Sequence, residues 1–253
     1  MTVALSPPYD DLTFLSPLSE QRADELVRFL ADGKPALVLD LGCGWAELLL
    51  RVVAAVPAVR GLGFDPDPDA IAYGRQQAMQ RGLSERVELS AGDARTAPDG
   101  ADAMICIGAS QIWGSPTAEE QPLDYSGALA AVRSLLSRGG RIVFGEAIWS
   151  APPTDPAVAA LSGRRDEFVT LAELVELAVA AEFMPIAVAE AGLEEWDRFE
   201  SGFSACYARW LAEHDVGHPD AAEVRTRAAE QRRGYFAGYR GVLGMAYLSL
   251  VAV

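Results

Sequence analysis

V-L-D-L-G-C-G-W-A-E-L-L-L, Val38 to Leu50, is an apolar run that breaks at two glycines and resumes with helical spacing. It predicts a buried strand, a tight loop and a helix whose first amides face a ligand. The register decides which ligand. A dinucleotide loop, G-x-G-x-x-G, needs a third glycine three residues after the second, with pyrophosphate at the helix start. Here the positions are Gly42, Gly44 and then Glu47, with Asp40 just before the loop, and these carboxylates repel a diphosphate. No Gly-Lys-Ser/Thr follows, so a P-loop fails as well.

Working outward, strands and helices alternate from residue 20 onward, the pattern of a mostly parallel sheet covered by helices. Ser19 is placed to cap a helix ending near Gly33. Strands are expected at Ala36 to Leu41, Arg60 to Asp65, Val87 to Ser90, Ala103 to Ile107, Arg141 to Phe144 and Ile186 to Ala189, with a last strand in the apolar C-terminal tail. Helices are expected at Trp45 to Val56, Pro68 to Arg81, Leu123 to Leu136 and Leu171 to Glu182. Ser137 to Gly140 reads as a tight turn, and Ala151 to Pro156 as a Pro-rich linker. About fifty residues, Ala191 to Arg240, separate the last two strands where a hairpin needs a handful. They carry two helical patterns and leave from the sheet edge where α/β folds bind ligands, so they are expected to form a lid. The expected organisation is a single domain, 1–253, with a core of 20–190 and 241–253 and a helical lid insertion at 191–240.

The chain has 253 residues, half of them hydrophobic, and a formal charge of -15 without any Lys/Arg cluster. That composition predicts a folded globular protein and argues against a nucleic-acid substrate, whose affinity comes largely from cationic contacts to phosphate. No run is long enough to span a membrane, and the stretch M-T-V-A-L-S-P-P-Y-D-D has neither the basic start nor the apolar block of a secretory signal, so none is expected. Cys43, Cys106 and Cys206 lack metal-ligand spacing and are odd in number, so neither a zinc site nor a disulfide framework is expected. A cytoplasmic location follows from these readings.

The pattern D-x-G-x-G, Asp40 to Gly44, resembles motif I of the class I S-adenosylmethionine-dependent methyltransferases, departing at the usual third glycine, which is Ala46. Asp65 ends the second expected strand, 21 residues after Gly44, where a carboxylate accepts ribose hydroxyls. G-D-A, Gly92 to Ala94, follows the third strand, where the family places a side chain against the adenine amino group. M-I-C-I-G-A-S, Met104 to Ser110, matches the fourth-strand motif, and Leu135 to Phe144 the segment leading to the fifth. G-E-A-I-W-S-A-P-P, Gly145 to Pro153, and G-L-E-E-W-D-R-F-E, Gly192 to Glu200, resemble segments of a group of bacterial small-molecule methyltransferases.

The resemblance implies a doubly wound, Rossmann-like α/β fold with a seven-stranded mostly parallel sheet, an antiparallel last strand and a helical cap. It implies that S-adenosylmethionine, leaving as S-adenosylhomocysteine, is held by Asp40, Gly42, Cys43, Gly44, Asp65, Pro66, Asp93, Ala94, Ile107 and Gly108. The implied function is methyl transfer to a small-molecule acceptor, with no nucleic-acid or membrane partner. The same motifs allow a protein that binds this cofactor without transferring methyl, such as a cyclase. Relatives in that group carry His after the fourth strand, where this chain has Gln111.

Methyl transfer is an in-line displacement from an activated donor, so the protein mainly positions the nucleophile and excludes water, without a metal. A base is needed only where the acceptor must lose a proton early. Glu146, expected just past the fifth strand, is the candidate for that role. Ser110 and Gln111 are candidate hydrogen-bonding groups for the acceptor. Trp113, Trp149, Trp196 and Tyr235 are candidate aromatic walls, each weighed against ordinary packing.

Overall fold

The structure, a computed structural model, describes residues 3–113, 122–161 and 163–253. Ser19, in extended backbone, accepts the Arg22 amide and starts α1 (Glu20–Ala31), which buries Ala23, Leu26, Val27 and Leu30 on one face. There follow β1 (Leu37–Leu41), α2 (Glu47–Ala55), β2 (Arg60–Asp65), α3 (Pro68–Gln80), β3 (Val87–Ala91) and β4 (Ala101–Ile107). After these come α4 (Tyr125–Leu135), β5 (Leu136–Trp149), α5 (Asp155–Ala160), α6 (Leu171–Ala180) and β6 (Phe183–Glu190). The chain closes with α7 (Leu193–Glu213), α8 (Ala221–Arg233), a π-helical turn at Gly234–Tyr239 and β7 (Leu243–Ala252).

The seven strands lie in the order β3-β2-β1-β4-β5-β7-β6. Strands β1 to β5 pair in parallel. β7 runs antiparallel to both β5 and β6, so β6 points the same way as the first five. The order reverses between β1 and β4, and a doubly wound sheet opens its crevice at the carboxyl ends of two such strands.

Successive side chains on a strand face opposite sides. Val38 therefore packs into one apolar cluster with α1 and α2, and Leu39 and Leu41 into the other with α4 and α6. Asp40, two residues after Val38, shares its side of the sheet and is 4% exposed at the strand's end.

The structure differs from expectation in three places. β5 does not stop at Phe144: its ladder with β7 continues through Glu146↔Ala246 to Trp149↔Leu243, so Glu146 lies inside the strand. The ten-residue β7 offers a longer partner than β4 does, and pairing follows it. Ser137 to Gly140 is not a free turn but a bulge in that strand, since the register jumps from Ala101↔Leu136 to Ala103↔Arg141 and Gly139 takes φ +80°. The Pro-rich linker contains a helix start: Thr154 caps α5 by accepting the Ala157 amide, and Pro156 sits in its first turn.

Candidate functional site

A cavity of about 660 Å³ opens at the switch point, lined by the residues that follow β1, β2 and β4. The glycine loop forms its floor. Gly42 has φ +73°, and a Cβ there would stand 2.7 Å from the Cβ of Ala109, so this crossing of the β1 and β4 loops admits no side chain. Gly44 and Gly108 also take positive φ. Ala46, at the position of the usual third glycine, has φ +61° as the N-cap of α2. A left-handed alanine costs about 1 kcal/mol, which is the physical reason glycine is usual there.

The charged groups on the cavity wall are Asp40, Glu47 and Asp65, with no Lys, Arg or His among the described lining residues. They are not equivalent. Glu47 is compensated: it accepts from Arg51 Nε at 2.8 Å and from Arg81 Nη2 at 2.6 Å. Its charge therefore weighs less against a diphosphate than its position in the sequence implies. Asp65 orders the backbone: Oδ2 accepts the Gly44 amide at 2.7 Å and Oδ1 the Asp67 amide at 2.9 Å. Asp40 has no ion-pair partner among the described residues, and burial, with the Asp65 charge, holds its carboxyl well above the usual carboxylate range. Burial likewise pushes the Cys43 thiol up, so it lines the loop as a neutral group.

Two segments far apart in sequence close the other side: Phe14 to Leu18 from the N-terminal strap, and Trp196 and Phe199 from α7. The strap is fastened at several points. Trp45 Nε1 donates to Thr13 O at 2.8 Å, the Ser16 hydroxyl lies 2.6 Å from the Tyr247 hydroxyl, and Tyr247 donates to Pro17 O at 3.0 Å. Glu195, in the first turn of α7, accepts the Ser19 amide at 2.9 Å and both Nε and Nη2 of Arg22 at 2.9 Å. Burial raises its pKa, but the Arg22 guanidinium and the Ser19 and Gly192 amides outweigh that and bring it to about 2.

Of the expected site residues, the structure gathers Asp40, Gly42, Cys43, Gly44, Asp65, Pro66, Ile107, Gly108, Gln111 and Trp196 around this cavity. Asp93 and Ala94 do not line it. Asp93 pairs with Arg95 at 2.7 Å and caps the 3-10 turn after β3, and Ala94 is buried in the core. Ser110 is fully buried. Trp149 packs edge-on against Phe168 and donates Nε1 to Arg165 O, Trp113 lies half-buried against the second core cluster, and Tyr235 donates to Asp197 at 2.7 Å. None of these four is on the cavity wall.

Glu146 is also away from it. Its Oε1 accepts the amides of Ala109 at 2.9 Å and Ser110 at 2.7 Å, and the side chain is 2% exposed. Burial raises its pKa against the lowering pull of those bonds. This carboxylate holds the turn after β4, whose Gly108, Ala109 and Gln111 form the wall.

The residues not singled out from sequence are the apolar ones: Leu48, Ile105, Ile112, Phe199, Met245 and the strap. Their signal was the G-L-E-E-W-D-R-F-E segment, which carries Phe199 three residues after Trp196, one turn of helix along the same face.

Residues 38–140 match the model of a methyltransferase domain family. Over the whole chain, the uncharacterized protein YjhP of Escherichia coli K12 is 28% identical across 244 residues, 94% of this chain and 93% of YjhP. Its X-ray structure superposes with a TM-score of 0.81, covering 97% of this chain and 98% of that one. A SAM-dependent methyltransferase of Thiobacillus denitrificans, solved with S-adenosyl-L-homocysteine, superposes with a TM-score of 0.81 at 25% identity over 97% of this chain and 96% of its own. A second such complex, from Geobacter sulfurreducens, shares the fold with a TM-score of 0.82 at 24% identity, over 97% of this chain and 96% of its own.

Proposed function

We infer that the chain transfers a methyl group from S-adenosylmethionine to a small-molecule acceptor, a reading supported by the match of residues 38–140 to a methyltransferase domain family and by the likeness to a methyltransferase solved with S-adenosyl-L-homocysteine. S-adenosylmethionine, when bound, supplies a methyl already activated on a sulfonium. The chain's own groups fit it. The buried Asp40 carboxylate, without an ion-pair partner among the described residues, suits the cationic end of this ligand, and a glycine loop without a Cβ gives close approach to backbone amides. Asp65 fixes the loop through the Gly44 amide and keeps lone pairs for ribose hydroxyls. The arrangement disfavours a diphosphate, which meets carboxylates and no cation among the described lining residues.

The observation that carries the small-molecule reading is the roof. The strap and α7 wall one side of a cavity whose volume lies in the range of small-ligand sites, and we assign residues 191–240, whose α8 packs on α7, the role of a lid. A charge of -15 argues against nucleic acid, and no helix among the described residues is long and apolar enough to cross a membrane. Three free cysteines fit a reducing, cytoplasmic setting.

Within this reading, Asp40 and Asp65 hold the cofactor, with Cys43, Pro66, Ile107 and Gly108 shaping its bed. Asp93 and Ala94 belong to the adenine edge only if the turn after β3 moves inward. Gln111 and Trp196 face the acceptor. Ser110 and Glu146 act behind the wall as positioning residues, because Glu146 sets the amides of the β4 turn. Trp113, Trp149 and Tyr235 support it by packing.

The test is transfer of label. Purified protein with methyl-labelled donor and a low-molecular-weight cell extract should give labelled small molecules. Label found only in protein or RNA contradicts the proposal. Unspent donor beside a rearranged acceptor favours a non-methylating use of the cofactor instead.

A further inference from the structure

We propose that the acceptor is an apolar, uncharged nitrogen base bearing an N–H, such as an aryl-fused amine, rather than a phenol or an acid. This rests on the methyl-transfer reading of the same cavity. The first argument is the sign of the charge. Among the described residues the wall carries no basic side chain, and of its three acids Glu47 is paired with Arg51 and Arg81, which leaves Asp40 and Asp65 without a cation of their own. The residues outside the described set, 1–2, 114–121 and 162, contribute no Lys, Arg or His by sequence. A carboxylate or phosphate on the acceptor would therefore lose its hydration without gaining a cation, which weakens its binding.

The second argument is how charge moves. The nitrogen lone pair forms the N–C bond as the C–S bond breaks and its electron pair stays on sulfur. The positive charge passes from sulfur to nitrogen, and the N–H proton then leaves to water. One positive charge stays inside the same cation-free cavity throughout. A phenolate would have to enter that cavity as an anion and would annihilate the positive charge. A neutral phenol would need an early base, and Glu146 is committed to two amides away from the cavity.

The third argument is Gln111. Gln111 lines the cavity, and its Nε2 donates to Gly108 O at 3.1 Å, which leaves Oε1 as the acceptor atom of that side chain. That atom complements an N–H. The rest of the acceptor side, Leu48, Ile112, Trp196, Phe199 and Met245, is apolar and takes a ring.

The experiment uses three bicyclic probes of similar size: 1,2,3,4-tetrahydroquinoline, 2-naphthol and 2-naphthoate. Protein saturated with S-adenosylhomocysteine is titrated with each by tryptophan fluorescence, and transfer from S-adenosylmethionine is read by mass spectrometry. The amine is expected to bind at least about tenfold tighter than the naphthoate, the difference expected of one unpaired buried charge, and to gain a methyl on nitrogen. Tighter binding or preferred methylation of naphthol or naphthoate overturns the acceptor class while leaving methyl transfer in place. Failure of all three probes to bind the loaded protein also overturns it. Failure of the protein to take up S-adenosylhomocysteine at all, seen in the first step, removes the underlying reading together with this one.

Discussion

At the scale of the residue, two buried carboxylates divide the labour. Asp40 has no ion-pair partner among the described residues, and its pKa is raised by burial and by Asp65. The folded, ligand-free protein thus holds this proton more tightly than the unfolded chain does. Its contribution to stability is present below the ordinary carboxylate range and is lost as pH rises through the raised value. An onium ligand reverses the preference, so affinity for S-adenosylmethionine should increase with pH across that interval. Asp40→Asn should weaken this affinity by at least about tenfold and flatten its pH dependence, yet raise thermal stability at neutral pH by about 1–2 kcal/mol. Calorimetric titration over pH and thermal melts of the ligand-free protein measure both. Glu146 behaves differently because two amides occupy it. Glu146→Ala leaves both donors buried and unpaired and should cost about 2–4 kcal/mol. Glu146→Gln keeps an accepting oxygen and should retain most of the transfer rate, whereas loss of a general base lowers it by about 10²-fold or more. The sequence placed a carboxylate near the right strand end. It did not reveal that the amides of Ala109 and Ser110 arrive there, because that contact joins residues 36 and 37 positions apart.

At the scale of the element, the alternation of apolar runs with glycine and proline breaks located the strands and most helices. Ends were misjudged where a tertiary partner extended them. β5 gains five residues beyond Phe144 because β7 lies alongside. The strap was legible only as a segment without regular pattern, since its order comes from Trp45, Tyr247 and α7. Gly202 on α7 illustrates the dependence: a Cβ there would stand 2.2 Å from Leu12 Cδ2, so the helix leaves room for the strap. The Glu195 tie should therefore govern closure. Its pKa of about 2 lies below the usual glutamate value, so its stabilisation is present above about pH 4.3 and fades as pH falls toward 2. Glu195→Gln should loosen the strap by about 1 kcal/mol, a modest figure because the pair is partly solvated. Faster amide hydrogen exchange over residues 12–20, with the exchange of β1 and β4 unchanged, is the expected result.

At the scale of the whole molecule, a net charge of -15 surrounds a cavity whose own wall carries carboxylates and no described cation. The sheet order places that cavity at the switch point, and the loop glycines give it a floor. The glycine-loop side of the cavity was readable from spacing because Asp40, Gly42, Gly44 and Asp65 are fixed by one strand-loop-helix unit and its neighbour. The acceptor side was not, because it is assembled from the strap, α7 and β7, which meet only in the folded chain. The central claim is that this acidic bend takes an onium ligand and refuses a diphosphate. Isothermal titration of the ligand-free protein with S-adenosylmethionine and with NADH tests it directly. Saturable uptake of the first and none of the second is predicted; tight binding of NADH with no heat from S-adenosylmethionine would contradict the account.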